Sequence, residues 1–132
     1  MTNDDLRALN VRLLALHSAL LDFARREWES TYGPTNPAQL LRLLIDDPHF
    51  AWLRPLSGAI AQIEEALDPR RATAVHRRGA ADANELFEAV HSLIRSSGDA
   101  VFHAKYVDVL QRSPEAVMAH ADVVKILSAR RA

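Results

Sequence analysis

Histidines are the residues of this chain whose type and spacing could support metal or acid–base chemistry. Six are present, and three lie on or beside apolar helical stripes: His17, His91 and His120. Glu88 precedes His91 by three positions, which is half of the paired Glu-x-x-His pattern found in di-iron bundles. If the helix faces converge, His17, Glu88, His91 and His120 line one internal pocket.

The ligand set of that pocket is incomplete. A di-iron bundle needs a second Glu-x-x-His motif and further inward glutamates, and no two histidines have the spacing of a zinc-binding HExxH helix. Cysteine is absent, which excludes thiolate–zinc sites. We therefore predict no metal site and no cofactor. A small-ligand or metal-binding bundle using the four residues is the alternative hypothesis.

Motifs of covalent and phosphate chemistry are also missing. There is no Gly-x-Ser-x-Gly elbow, and the four glycines are scattered singly, so no glycine-rich loop is available to wrap a phosphate. The adjacent acids Asp46-Asp47 and Glu64-Glu65 are explained by helix caps and solvated faces. We predict no catalytic residue, and a protein that is not an enzyme.

Residues 46–57, with the sequence DDPHFAWLRPLS, have the composition of a contact surface. They bring together Phe50, Trp52 and Arg54, and Trp and Arg are over-represented at binding hot spots. Helical spacing also predicts a face of mostly small residues that a second helix could approach closely. It consists of Ala51, Arg54, Gly58 and Ala61. The alternative is that both aromatic side chains are core and that Arg54 pairs with a preceding aspartate.

A basic cluster lies between 68 and 81 and contains Arg70, Arg71, His76, Arg77 and Arg78. Nucleic-acid surfaces combine such charges with aromatic side chains or a recognised motif, and this segment has neither. The formal net charge of the chain is −1, which gives no general attraction to polyanions. We predict an exposed connector and disfavour a nucleic-acid partner.

The first helix is predicted from Asp4 to Ser30. Its apolar stripe repeats at spacings of three and four and consists of Leu6, Leu9, Leu13, Leu16, Leu20 and Phe23. Leu14, Leu21 and Trp28 widen the stripe, so this helix is expected to contact two neighbours, or one neighbour and a second subunit.

Further helices are predicted from start and stop signals. Gly33-Pro34 ends the first helix, Asn36-Pro37 starts a short one that ends near Asp46, and a third extends to Leu67, kinked or restarted at Pro55. Asp82 is predicted to cap the start of the next helix. Ser96–Gly98 is predicted to interrupt the helical structure, and Ser113-Pro114 is predicted to start the last helix. The predicted inner side of that last helix is Val117, Ala121, Val124 and Leu127.

These patterns predict an all-α fold. With 132 residues, 48% apolar and 25% charged, we expect one helical domain spanning 1–132, a compact bundle of about four longer helices with one or two short ones. The absence of cysteine, of a signal-like N-terminus and of a long apolar run predicts a soluble cytoplasmic protein without membrane contact. The preference for arginine and alanine is typical of GC-rich bacterial coding.

Three segments carry a resemblance to a known group: DPHFAWLRPLS followed by IAQIEEALD, YGPTNPAQLLRLL, and LQRSPEAVMAH. The chain resembles a family of uncharacterised bacterial helical proteins that share a DPxFAWLRPLS-like segment. The resemblance implies a compact helical domain and brings no activity or ligand. Our leading hypothesis is a non-enzymatic module acting through protein contacts or self-association, as a homodimer or with an unidentified protein partner. The proposed contact residues are Phe50, Trp52, Arg54, Leu14 and Leu21.

Overall fold

The computed structural model describes residues 3–68, 79–95 and 99–131. These ranges form six α-helices and one 3₁₀ helix, without a strand among them. The helices are α1 (Asn3–Tyr32), α2 (Pro37–Asp46), the 3₁₀ helix (Pro48–Leu53), α3 (Arg54–Leu67), α4 (Gly79–Ile94), α5 (Ala100–Arg112) and α6 (Pro114–Arg131). The predicted all-α bundle is confirmed. None of these helices is long and apolar enough to cross a bilayer.

The turn between α1 and α2 follows the local signals in the sequence. Gly33 adopts a φ of 95°, a conformation that costs glycine little, and its N–H donates to the Glu29 carbonyl at 2.8 Å. Both the N–H and the hydroxyl of Thr35 donate to the Glu29 carboxylate, at 2.8 and 2.7 Å. The Asn36 side chain then accepts the Gln39 N–H at 2.8 Å, which caps the start of α2.

Pro55 restarts the helix rather than bending it. The segment after Asp47 is a 3₁₀ helix that ends at Leu53, and α3 begins at Arg54. Pro55 therefore stands in the first turn of α3, where a missing N–H removes no intrahelical bond. The side chain of Asp47, before the 3₁₀ helix, accepts the His49 N–H at 2.8 Å and caps the start of that helix. The restart predicted at Pro55 is confirmed.

The prediction that α4 begins at Asp82 is wrong. The helix begins at Gly79, because Ala80 and Ala81 are strong helix formers that extend it upstream of the capping signal. The predicted connector therefore loses its last three residues to α4. The rest of the connector lies outside the described residues, and so does the predicted interruption at Ser96–Gly98. This part of the connector contains Arg70, Arg71, His76, Arg77 and Arg78.

α1 is the central element of the core. It packs against α6 and α3, with further contacts to the 3₁₀ helix, so the expectation of two neighbours is confirmed. Its fully buried leucines are Leu6, Leu9, Leu13, Leu16 and Leu20, and burying each such side chain stabilises the fold by about 1.5–3 kcal/mol. Phe23 is only half-buried, and Ala24 continues the buried stripe.

The predicted inner side of α6 is wrong at Val117 and Ala121, whereas Leu127 is buried and Val124 is partly buried against the core. The buried residues are Ala116, Val123 and Leu127, whereas Val117 and Ala121 are exposed. Apolar residues surround this helix, so periodicity does not select a face. The neighbouring helices select it instead, and His120 lies on the selected side, bonded to Tyr106 of α5.

Candidate interaction surface

His17 lies in the seam between α1 and α3. Its Nε2 atom is 2.9 Å from the Ser57 hydroxyl oxygen, and that hydroxyl donates to the Leu53 carbonyl at 3.2 Å. The serine oxygen therefore accepts the histidine N–H. Burial lowers the pKa of His17, because desolvation disfavours the charged imidazolium. The pair holds two helices together and leaves the hydroxyl engaged with the backbone.

His120 lies in a different seam, between α5 and α6. Its Nδ1 atom is 2.6 Å from the hydroxyl oxygen of the buried Tyr106. Burial raises the pKa of Tyr106, so the phenol keeps its proton and donates it to a neutral imidazole. Burial, and secondly the charge of Arg95, lower the pKa of His120, which favours the same neutral form.

The four candidate metal ligands are not brought together. His91 and Glu88 are both on α4, the first half-buried and the second exposed. Across the described ranges, no group of three or more His, Cys, Asp or Glu residues could hold a metal ion. The predicted pocket of His17, Glu88, His91 and His120 therefore has no counterpart in the fold. Helical spacing had placed each histidine near an apolar stripe, but the order of helices in space sends His17 and His120 to separate seams.

Phe50 and Trp52 are core residues, with exposed fractions of 1% and 8%. The Trp52 ring lies 5.9 Å from the ring of Phe102 on α5. The expectation that these two aromatics form a contact surface is therefore wrong, because the 3₁₀ helix turns both inward. Arg54 is exposed, as that expectation required, but its guanidinium donates to the Ile45 carbonyl at 2.8 Å instead of pairing with an aspartate side chain.

Leu14 and Leu21 of α1 have different environments. Leu14 is 44% exposed and remains open to a partner. Leu21 is half-buried and packs against the core, so it offers less surface. On α3, a Cβ added to the exposed Gly58 would meet nothing within 4 Å. The small-residue face predicted there is therefore open.

A charge network surrounds Glu27 of α1, and no motif in the sequence indicates it. The Glu27 carboxylate lies 3.3 Å from the Lys105 ammonium and 3.4 Å from the Arg112 guanidinium, with His49 at 3.9 Å. Arg112 also pairs with Asp108 at 3.2 Å. Residues so distant in sequence share no spacing that could reveal the network. The opposite charges of this network balance one another. The network therefore links α5 to α1 by ion pairs and does not present one sign of charge to a ligand.

Two open grooves lie along α1, and the first of them includes part of this network. One, of about 340 Å³, lies beside the α5–α6 junction and is lined by Phe23, Arg26, Glu27 and Arg112, among others. The other, of about 400 Å³, lies between α1 and α6 and is lined mostly by alanines and acids. In the first groove Asp22 accepts from Arg26 at 2.8 Å, so its charges are largely paired. Because the charges of the first groove largely pair with one another and the second is lined by small and acidic side chains, neither groove resembles a mostly apolar ligand pocket.

The exposed side of α2 is the feature that most resembles a binding site. None of its residues is fully buried. Leu40, Leu43 and Leu44 pack partly against the core, whereas Leu41 and Ile45 are 60% and 61% exposed. The apolar arc of this helix therefore extends well beyond the side that the core covers. We call its open part, formed by Ala38, Leu41 and Ile45, the α2 face.

Both ends of α2 are held in place, and its polar edge carries unpaired charge. Asn36 caps the first turn, and the Arg54 guanidinium satisfies the Ile45 carbonyl near the last. Arg42 and Asp46 lie one turn apart beside the α2 face, both exposed. In the part of the chain that the structure describes, neither side chain has an ion pair or hydrogen bond. The α2 face is therefore a fixed apolar stripe bordered by one positive and one negative charge.

Comparison with protein-family models, curated proteins and solved structures finds no match for this chain. The resemblance to bacterial helical proteins with a DPxFAWLRPLS-like segment therefore stays a prediction. The segment itself has a structural role here, because it forms the buried 3₁₀ helix and the start of α3.

Proposed function

We propose that this chain is a non-enzymatic helical module that acts by binding another protein chain through the α2 face. The observation that supports the proposal is the exposure of Leu41 and Ile45, neighbours one turn apart on a helix whose opposite side already packs on the core. Large apolar side chains grouped in this way mark interaction sites more often than isolated ones do.

The energetics of the α2 face suit a contact helix. Covering a leucine or isoleucine side chain completely is worth about 1.5–3 kcal/mol, and the core leaves more than half of each side chain uncovered. The caps at Asn36 and Arg54 hold α2 in one orientation. A partner would therefore bind a preformed helix and would not bear the entropy of ordering it.

Leu14 is the second apolar position that supports an interaction module. It is exposed on α1, the helix that packs against α3, and the small-residue face of α3 is open at Gly58. Arg54 of α3 bonds to the last turn of α2, which connects this side of α3 with the α2 face. We place Leu14 at the border of the interaction surface and the α2 face at its centre.

The test compares partner capture by the wild type and by a double variant, Leu41→Glu with Ile45→Glu. In-cell cross-linking followed by purification should recover a specific protein, or a second copy of the chain, with the wild type. The double variant should lose it, because two carboxylates would have to be desolvated at the contact. The matched control is Val101→Glu on α5, where the native side chain is 72% exposed.

All three proteins should show the same melting temperature, because the substituted side chains lie largely outside the core. Equal recovery of the same cross-linked protein by the double variant and by the control would show that the α2 face is not the binding surface. Absence of any cross-linked protein in the wild type, including a second copy, would contradict the interaction module as a whole.

A further inference from the structure

We propose that the partner of the α2 face is a second copy of this chain, docked with its α2 antiparallel across a two-fold axis. The inference rests on the proposed function and gives it a specific partner. A two-fold interface is isologous, so the same residues must complement themselves. The α2 face meets this condition, because an apolar stripe complements another and its border carries both signs of charge.

The charges select the antiparallel arrangement. Arg42 and Asp46 are four positions apart on the same edge of α2, and neither is paired within the described residues. In an antiparallel pair with the axis at the level of Leu44, Arg42 of each copy lies opposite Asp46 of the other. In a parallel pair, a two-fold axis along the helices would put the two Arg42–Asp46 edges on opposite sides of the contact, so neither charge would face its opposite in the other copy.

The same axis position brings the apolar side chains into contact. Ile45 lies about one helical step from the level of Leu44, so the two Ile45 side chains meet near the axis, given a rise of about 1.5 Å per residue. Leu41, one turn earlier on the same face, packs against Ile45 of the other copy. The side chains that are exposed in one copy are therefore covered by those of the next.

The size of α2 determines how strong the dimer contact should be. A ten-residue helix is about 15 Å long, so the contact falls at the small end of specific interfaces. Such interfaces are transient. We expect a reversible dimer with a dissociation constant on the order of micromolar. The net charge of −1 per chain opposes this association only weakly.

Charge reversal tests the arrangement in the purified full chain, by sedimentation velocity over a concentration series. Arg42→Glu faces Asp46 of the other copy with a like charge, twice per dimer, and Asp46→Arg faces Arg42 in the same way. Each variant alone should weaken dimerisation roughly tenfold. An equimolar mixture of the two should restore it, because every cross-copy contact then joins opposite charges. Val101→Glu is again the control and should dimerise as the wild type does.

Each outcome of this experiment decides the inference. Weakening by both single variants with recovery in the mixture supports it. A wild type that stays monomeric over the series, or a dimer indifferent to both reversals, overturns it. The proposed function is judged separately: if the wild type is monomeric but the Leu41→Glu, Ile45→Glu variant loses a different cross-linked protein, the module binds a heterologous partner. In that case only the two-fold inference fails.

Discussion

The hydrogen bond between Tyr106 and His120 shows how a residue that resembled a ligand serves the fold. Tyr106 is fully buried in a row of rings that continues through Phe102, at a centroid distance of 5.2 Å, to Trp52. A buried phenol needs a partner for its hydroxyl, and the imidazole of His120 supplies the acceptor. The histidine is therefore explained by the satisfaction of a core tyrosine.

Replacing Tyr106 with phenylalanine should destabilise the protein by about 1–2 kcal/mol, because the Nδ1 atom of His120 loses its donor. The same substitution should raise the pKa of His120, since the lost bond favoured the neutral imidazole. Chemical denaturation measures the first effect and an NMR titration of the His120 ring measures the second. Phe102→Leu, which disturbs packing nearby and keeps the hydroxyl, is the control. An unchanged pKa in Tyr106→Phe would show that the phenol is not the donor.

The two partnered histidines predict how stability depends on pH. Burial lowers the pKa of His17 and of His120 from the ordinary value of 6.5, so between the folded and unfolded pKa values the unfolded chain binds more protons. The free energy of unfolding therefore rises with pH in that window. The contribution of both groups is complete above pH 6.5 and is lost as the pH falls through 6.5 towards their folded pKa values.

Urea denaturation between neutral pH and mildly acidic pH should show this loss. The double variant His17→Gln with His120→Gln should have a flatter profile over the same range, because the substituted amides do not titrate. An equally steep profile in the double variant would assign the acid sensitivity to other groups. Replacing the exposed Gln62 of α3 with alanine gives a control whose profile should follow the wild type, because neither side chain titrates.

At the scale of the element, the cap of α2 has a consequence for both stability and binding. Asn36→Ala removes the acceptor of the Gln39 N–H, and the loss of an N-cap costs about 1 kcal/mol. Because α2 has no fully buried residue, packing compensates little for that cost. We expect a small fall in melting temperature together with weaker capture of the partner by the α2 face. Asn36→Asp keeps an acceptor and should restore both. Undiminished partner capture by Asn36→Ala would show that a rigid α2 is not required.

Elements whose boundaries depend on adjacent residues were predictable from the sequence. The stop at Gly33, the starts at Asn36-Pro37 and Ser113-Pro114, and the restart at Pro55 each follow from backbone sterics or a cap within four residues. Prediction failed at the start of α4, where capping competed with the helix propensity of alanine. It also failed at Val117 and Ala121 of α6, because apolar residues on several sides of that helix left its buried face to be chosen by neighbouring helices.

The candidate site was harder to predict than the elements. The composition of residues 46–57 correctly marked a distinctive segment, but composition does not determine which side of a 3₁₀ helix faces inward. Phe50 and Trp52 are core for that reason. In the sequence, Leu41 and Ile45 do not differ from the leucines of α2 that pack against the core. Their exposure depends on how much of α2 the rest of the fold covers, and this is a property of tertiary packing.

At the scale of the whole molecule, polar contacts specify how α1 and α3 align. Asn10 donates to the Glu64 carboxylate at 3.5 Å, and His17 meets Ser57 at 2.9 Å. On α1, Asn10 precedes His17; on α3, its partner Glu64 follows Ser57 by the same number of residues. Both contacts therefore belong to one antiparallel register. A shift of either helix would break both polar contacts and would also require the buried leucines and isoleucines to repack. The apolar core stabilises the bundle, and these polar contacts help to select its alignment.

The shallow packing of α2 also has a consequence for hydrogen exchange. A helix with no fully buried residue, packed mainly on one short 3₁₀ helix, separates from its neighbours at a lower free energy than the central α1 does. Its backbone amides should therefore exchange with deuterium through local opening, well before those of α1, which open only with the whole bundle. A bound partner would slow that exchange in α2 selectively. Hydrogen exchange in α2 would thus report whether a partner occupies the α2 face.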